Sequence, residues 1–319
     1  MGESLPPLPG AATSFIERLL PRCSFPPAGT QVTCAVSGGA DSTALAVLAV
    51  AAGCTVDVVH VDHGLRPGSA DEAEVVGLTA ARLGASMRSV RVEVAPGPNL
   101  EARARAARYA VLPTDVMTGH TADDQAETVL VNLLRGAAAT GLAGMRPGVR
   151  RPLLGLRRAD TVELCSLAGL VVVDDETNCD QRFVRNRVRH RVLPLLAEVS
   201  GRDLVPVLVR QADLLRDDDD LLMALADQLD VTDARALAAA PVPLARRAVR
   251  SWLSAADVEM HPPDLATVDR VLEVAAGHRV ACEVAGGHRV ERHHQQLVLT
   301  ITTARTEPAP PATGGASVG

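Results

Sequence analysis

The chain has 319 residues, 47% of them hydrophobic, which is enough apolar material for two compact domains. Its 32 cationic and 38 acidic side chains give a net charge of −6, so no overall basic character announces a nucleic-acid partner; all the cations are arginine, which excludes lysine-nucleophile or Schiff-base chemistry by the chain itself, and 2% aromatic content excludes base stacking as a major binding mode. The six cysteines, at 23, 34, 54, 165, 179 and 282, include no CxxC pair, and no signal-like or membrane-length apolar run appears, so the expected setting is the reducing cytoplasm, without a disulfide framework, a zinc site or membrane contact.

The first 29 residues read as an N-terminal extension, proline-rich around a short helical candidate from Ser14 to Leu20. The β-prone run 31–36 then meets the turn Ser37-Gly38-Gly39-Ala40-Asp41-Ser42, and an alanine- and leucine-rich stretch, 43–52, follows at once. That order predicts strand, loop and helix. Further strands are predicted at 55–61, 86–94, 115–119 and 171–174, and further helices at 70–83, 99–112 and 122–135. Such alternation predicts an α/β fold, a doubly wound parallel sheet with helices on both faces. Ligands of these sheets collect beyond the carboxyl ends of the strands, where Ser37, Asp62 and His120 fall. After Pro194 the pattern changes. Leu204, Leu208, Ala212 and Leu215 recur at helical spacing, and the acidic run Asp217 to Asp220 reads as a solvated helix face or linker. Two helices within 241–275 and short strands at 281–284 and 289–301, around Gly286-Gly287, complete a smaller α+β domain. The expected division is an extension at 1–29, a nucleotide domain at 30–198, a second domain at 199–302 and a tail at 303–319 whose Pro, Ala, Thr and Gly content predicts disorder.

The glycines of the loop let backbone N–H groups turn toward an anion, and the helix start adds partial positive charge. The loop lacks the Gly-Lys-Ser/Thr ending of a common nucleoside-triphosphatase loop and places a carboxylate, Asp41, where that loop has its cation. A carboxylate beside polyphosphate calls for a bridging Mg²⁺. Four further strings follow. Val61-Asp62-His63-Gly64-Leu65-Arg66 puts Asp62 at the end of the second strand. Asn99-Leu100-Glu101-Ala102 begins a helix, with Asn99 as N-cap, that carries Arg105 and Arg108 on one face. Thr118-Gly119-His120 leads into Asp123-Asp124-Gln125-Ala126-Glu127, where Asp123 and Glu127, or Asp124 and Glu127, share a helix face. Asp175-Glu176-Thr177-Asn178 precedes Arg182, Arg185, Asn186 and Arg189. Each string alone has a plain structural explanation: a turn, a solvated carboxylate pair, a soluble arginine face.

In this order the loop resembles that of the PP-loop ATP pyrophosphatases, which have the adenine nucleotide alpha hydrolase-like fold. The whole set resembles the tRNA(Ile)-lysidine synthase family, in detail over 31–195 and in outline beyond. The family's RGxG reads Arg135-Gly136-Ala137-Ala138 here, with one glycine lost. The resemblance implies a ligase that uses ATP to adenylate the C2 oxygen of the wobble cytidine in the CAU anticodon of tRNA(Ile), releasing pyrophosphate. The ε-amine of L-lysine then displaces AMP to form lysidine, and the codon read changes from AUG to AUA. It implies ATP held by Ser37, Gly38, Gly39, Ala40, Asp41, Ser42 and Asp62 with Arg105 and Arg108. Mg²⁺ would sit on Asp41, with Asp62 a second candidate, and His120 at the α-phosphate. L-lysine would be held by Asp123, Asp124 and Glu127. Asp41, His120, Asp124 and Glu127 form the implied catalytic set. Deprotonating the amine at neutral pH costs about 4–5 kcal/mol from a pKa of ~10.4, so a carboxylate must both attract the cation and take a proton; which one does so stays open.

An acidic protein still needs local positive charge for tRNA. The stretch 182–191 has five arginines and no carboxylate, and Arg182, Arg185 and Arg189 are the expected contacts, with further clusters at Arg146, Arg150, Arg151, Arg157 and Arg158 and at Arg246, Arg247 and Arg250. The alternative is a PP-loop tRNA thiolase acting on an anticodon-loop base, against which the missing CxxC pair speaks. A small-molecule ligase with the same loop leaves the second domain without a role, and a regulator without turnover has no use for Asp41, His120 and Glu127. His293 and His294, adjacent in a predicted strand, point to opposite faces and argue against a metal site with His288. The oligomeric state is left open, a homodimer included.

Overall fold

Helix α1 (Gly10–Leu19) repeats apolar residues every three or four positions and buries Ala12, Phe15, Ile16 and Leu19. Within the segment expected as an extension, this helix is therefore part of the first core. In this computed structural model, which describes residues 9–62, 69–93, 100–173, 180–256 and 263–300, the chain divides into two units, 1–216 and 217–319.

In the first unit β1 (Gln31–Ala35), α2 (Ala40–Ala51), β2 (Thr55–Asp62), α3 (Ser69–Arg82), β3 (Ser86–Arg91) and α4 (Leu100–Val111) alternate as predicted. The strands pair in parallel in the order β1-β2-β3, with Gln31 opposite Thr55 and Asp57 opposite Ser86. Helix α2 is apolar on every side, which demands burial all round; Ser42 through Ala49 are all buried, and Leu45 and Leu48 meet Phe15, Ile16, Leu153, Leu156 and Leu164 in the core.

Two predicted strands are not formed. The segment at 115–119 contributes a single parallel bridge, Met117 to Cys34, with Ala35 N donating to Met117 O at 2.9 Å and Met117 N to Thr33 O at 2.8 Å. Thr118 N instead donates to Arg150 O, which ends the ladder. Residues 171–173 are irregular: Val171 is exposed, and Val173 N donates to Gly38 O rather than to a strand. The strings His63 to Arg66, Asn99 and Asp175 to Asn178 lie outside the described residues.

The unit continues with α5 (Ala122–Leu134), the short α6 (Ala139–Leu142), α7 (Arg158–Leu167), the short α8 (Val184–Arg187), α9 (Leu193–Ser200) and the start of α10 (Val205–Ala226). Between α8 and α9 the chain widens into a π turn over Val188–Val192. Pro194 lacks the N–H that an α-helical turn would use there and crowds the preceding carbonyl.

The second unit holds α11 (Ala234–Ala239), α12 (Val242–Ala256), α13 (Leu265–Ala276) and an antiparallel sheet β4 (Ala281–Glu283), β5 (Arg289–His293), β6 (Gln296–Thr300). Its core gathers Leu237, Val249, Leu253, Val268, Val271, Val274, Val290 and Leu297. Two expectations change here. His294 is not a strand residue: with Gln295, at φ of 47° and 70°, it makes the tight turn that divides 289–301 into β5 and β6. The acidic run is not wholly solvated either, since Asp219 is buried and accepts from Arg247 Nη2 at 2.8 Å.

Candidate active site

The sheet grows from β1 to β2 to β3 on one side, while Met117 returns to the other side of β1. The winding reverses at β1, and a crevice opens between the ends of the diverging connections. A cleft of about 330 Å³ lies there, lined by the loop at Ser37, Gly39, Asp41 and Ser42, by Val59, His60 and Val61 of β2, and by Thr118, Gly119 and His120, with Glu72, Arg105 and Arg108 beside them. Asp62 ends β2 but is not part of this wall.

The loop is shaped by its own polar groups. Ser37 N donates to Ser42 Oγ at 3.1 Å, and Ser42 Oγ donates to Gly39 O at 3.0 Å. Gly38 has φ of +91°, and a Cβ there would lie 2.8 Å from Val173 Cγ2. Gly119 is required for another reason: its Cβ would lie 2.5 Å from the Asp41 carbonyl oxygen. The N-terminus of α2 thus faces the cleft at the loop, the arrangement that receives phosphate.

Two histidines are held in defined tautomers. Thr118 Oγ1 donates to Arg150 O at 3.2 Å, so at 2.7 Å it accepts from His120 Nδ1, leaving Nε2 as the bare nitrogen. Burial pushes His120 down to about 4, against the pull of Asp124 in the other direction. It is therefore neutral near pH 7 and brings no net charge to the cleft. His60 Nδ1 donates to Val36 O at 3.0 Å, and its Nε2 is buried without a partner among the described residues, in the wall of the cleft.

Asp41 lines the cleft while its carboxylate accepts from Thr161 Oγ1 and, at 3.3 Å, from Arg158 Nε. Burial raises its affinity for a proton, and Thr161 and Arg158 oppose that rise. The donor set suits ATP with Mg²⁺: a carboxylate and two serine hydroxyls are hard oxygen groups, and Mg²⁺ takes one or two carboxylates together with phosphate and water. The unpartnered His60 nitrogen adds one position for a nucleotide donor group.

Behind the cleft lies an ion cluster. Asp124 caps its own helix, accepting from Thr121 N at 2.9 Å, and turns its second oxygen to Arg158 Nη2 at 3.0 Å and Arg185 Nη2 at 3.4 Å. Glu127 is 0% exposed and meets Arg158 Nη1 at 3.2 Å, Arg185 Nε at 2.8 Å and Arg189 Nε at 2.6 Å. Burial alone would raise Asp124, but Arg158 and Arg185 hold it below the usual carboxylate range. Asp124 and Glu127 are thus the pair that shares its arginine partners. Asp123 is turned to Arg157, accepting from Nε and Nη2 at 3.0 Å each, and to Arg158 N at 2.8 Å, so it ties α5 to the start of α7.

The arginines expected as tRNA contacts part company. Arg182 is 86% exposed beside Asp180, whereas Arg185 and Arg189 turn inward to Glu127. A buried carboxylate needs counter-charge, and their helical spacing of four residues brings both to it. Arg158, expected in an outer cluster, proves central. The signal that could have found it is weak: three unpaired carboxylates on the facing segments ask for cations from elsewhere in the chain. A second cavity, of about 230 Å³, is lined by Asp123, Glu127, Arg157, Arg158, Arg189, Leu193 and Asp203. In the second unit Arg246 pairs with Asp269 at 2.8 Å and Arg247 with Asp219, while Arg250 is exposed.

The described cysteines offer no exposed thiolate. Cys34 and Cys165 are buried, Cys23 partly so, and burial pushes all three thiols up to about 12; Cys54 and Cys282 are buried too, and Cys179 lies outside the described residues. Among the described residues there is no cluster of three or more His, Cys, Asp or Glu suited to a metal ion, and no helix long and apolar enough to cross a membrane.

The PP-loop domain family matches residues 13–196, and the TilS substrate binding domain family matches residues 233–298. Among curated relatives, the tRNA(Ile)-lysidine synthase of Nocardia farcinica is 47% identical over 245 residues, 72% of this chain and 77% of that one. That of Mycolicibacterium paratuberculosis is 46% identical over 239 residues, 69% of this chain and 73% of the other. A solved structure of similar fold, the U34-tRNA thiolase NcsA from Methanococcus maripaludis with its 4Fe-4S cluster, aligns with a TM-score of 0.51 at 16% identity, over 65% of this chain and 80% of that chain. With the phosphate loop, the acidic helix and both matched domains in the same order, the chain belongs to the tRNA(Ile)-lysidine synthase family.

Proposed function

We propose that this chain joins L-lysine to the wobble cytidine of a tRNA(Ile) bearing a CAU anticodon, with ATP consumed to AMP and pyrophosphate. The observation that carries this reading is one helix start serving two sites: His120 and the loop face a nucleotide cleft, while Asp123 and Glu127, just beyond, line a second cavity. Oxide is too poor a leaving group to be displaced from the cytidine directly, and adenylation by ATP removes that obstacle. Ser37, Ser42 and the N-terminus of α2 hold the phosphates, with Arg105 and Arg108 supplying charge at the cleft wall. Mg²⁺, held by Asp41, would neutralise phosphate charge. His120, neutral with Nε2 bare, offers an acceptor at the cleft and no net charge.

The second cavity suits an amino acid that carries both signs of charge. Arg157 and Arg189 can meet its carboxylate, and Glu127, with Asp124 behind it, its amine. Asp123 is committed to Arg157, so lysine recognition rests on Asp124 and Glu127. For tRNA, Arg182 is the outward arginine, and Arg185 and Arg189 are charge partners of the acidic helix. The thiolase alternative requires a reactive thiolate, and burial raises every described thiol above its ordinary range. The reaction belongs in the cytoplasm, where such tRNA is modified.

The test is a pyrophosphate and AMP assay with tRNA of CAU anticodon. Release of both products that requires L-lysine and unmodified tRNA supports the reading. Turnover that requires a sulfur donor instead, or none that responds to lysine, overturns it.

A further inference from the structure

The carboxylates assigned to the lysine cation are already neutralised. Three guanidinium groups, Arg158, Arg185 and Arg189, meet three carboxylates, Asp41, Asp124 and Glu127, at distances from 2.6 to 3.6 Å. An ammonium ion entering this cluster adds a fourth positive charge to a balanced set in a largely buried place, which the Coulomb energy at low dielectric opposes. One of the resident cations must yield.

Arg158 is the one placed to do so. Arg185 and Arg189 come from one helical stretch, and the carboxylates they reach among the described residues are Asp124 and Glu127. Arg158 divides its three donor nitrogens among Asp41 at 3.3 Å, Asp124 at 3.0 Å and Glu127 at 3.2 Å. It lines the second cavity and at the same time holds a wall residue of the nucleotide cleft. Its backbone is fixed at the first residue of α7, where its N–H donates to Asp123 at 2.8 Å, so a change in the guanidinium can occur by rotamer alone. We propose that Arg158 is a positioning residue that stands in for the substrate ammonium: it occupies Asp124 and Glu127 until lysine displaces it, and it links their occupancy to Asp41. An arginine suits the part, since a guanidinium stays protonated and is no nucleophile toward an adenylated base, whereas a lysine side chain there would compete chemically with the substrate.

The inference rests on the reading of Asp124 and Glu127 as the lysine site, and the experiment separates the two. Binding of L-lysine to the full chain is measured by calorimetry, beside the KM for ATP and the thermal midpoint. Removal of an internal competitor should strengthen binding: Arg158→Ala is expected to lower the lysine Kd about ten-fold, equivalent to about 1.4 kcal/mol, while the ATP KM rises because Asp41 loses its partner. Millimolar guanidinium ion should return the lysine Kd of Arg158→Ala toward that of the parent and leave the parent unchanged, a rescue that a merely structural role does not produce. If Arg158→Ala does not fold, Arg158→Lys decides: a point charge cannot reach all three carboxylates, so lysine should again bind more tightly than to the parent. Equal or weaker lysine binding in a folded variant overturns the proposal. If Glu127→Gln leaves lysine binding unchanged, the site reading itself fails and the inference with it.

Discussion

At the nucleotide cleft most of the shape comes from backbone. Gly38 turns the chain at positive φ, Gly119 lets two segments approach to within contact of the Asp41 carbonyl, and the loop hydroxyls bond within six residues of one another. In the ion cluster behind it, side chains from α2, α5, α7, α8 and the π turn after it meet across sequence separations of 31 to 117 residues. The first kind of site is set by backbone turns and close backbone approach. The second depends on charge balance, so each member is tied to the others, and removing one leaves the rest uncompensated.

That contrast predicts the largest effect at Glu127. Glu127→Gln strips the buried counter-charge from three arginines and should cost about 3–5 kcal/mol of stability, with lysine transfer lost and adenylated tRNA accumulating in a folded sample. Calorimetric melting and a gel assay for the trapped adenylate check both; equal loss of the two steps at an unchanged midpoint would move Glu127 to the nucleotide. Asp41→Asn tests the cleft side. It should cut AMP formation about a thousand-fold, the several kcal/mol that charge neutralisation supplies to adenylyl transfer, and near-normal turnover at saturating Mg²⁺ would remove Asp41 from that role.

A smaller effect follows from His120. In the unfolded chain its imidazole charges below 6.5, in the folded protein only below about 4. Between those values the unfolded state binds the extra proton, so stability falls as pH falls, by about 3 kcal/mol in total, and is unaffected above that range. Denaturant midpoints at about pH 7 and about pH 4.5 should lie closer together in His120→Gln than in the parent; an unaltered spacing contradicts the buried neutral ring. The smallest effect belongs to Arg182. Arg182→Glu should raise the KM for tRNA a few-fold at an unchanged ATP KM and melting point, and lower the salt slope of tRNA binding by about one. Arg185→Glu should melt early instead, and a pair of arginines that behave alike would erase the distinction between them.

The strand–loop–helix at 31–52 was legible because every step is local: a β-prone run, glycines that permit the turn, and a helix apolar on all sides. The bridge at Met117 was over-read as a strand, since β-prone residues at 115–119 pair only where a neighbour is present, and Thr118 finds Arg150 instead of β1. Spacing on a helix made it legible that Glu127 pairs with Asp123 or Asp124; the shared arginines Arg158 and Arg185 single out Asp124. Those partners were not legible, because no period or motif connects Arg158 of α7, or Arg185 and Arg189, to α5.

The sequence by itself determined the phosphate loop, the alternating elements around it, the acidic helix and the family to which these belong. The tertiary structure alone decided which side of each charged residue is used: Arg185 and Arg189 inward, Arg182 outward, Asp123 on Arg157, and Arg158 between the two cavities. The reason is physical. Backbone conformation responds to the residues next in the chain, while a buried charge is stabilised by whichever opposite charge folding brings within a few ångströms, however distant it is in sequence.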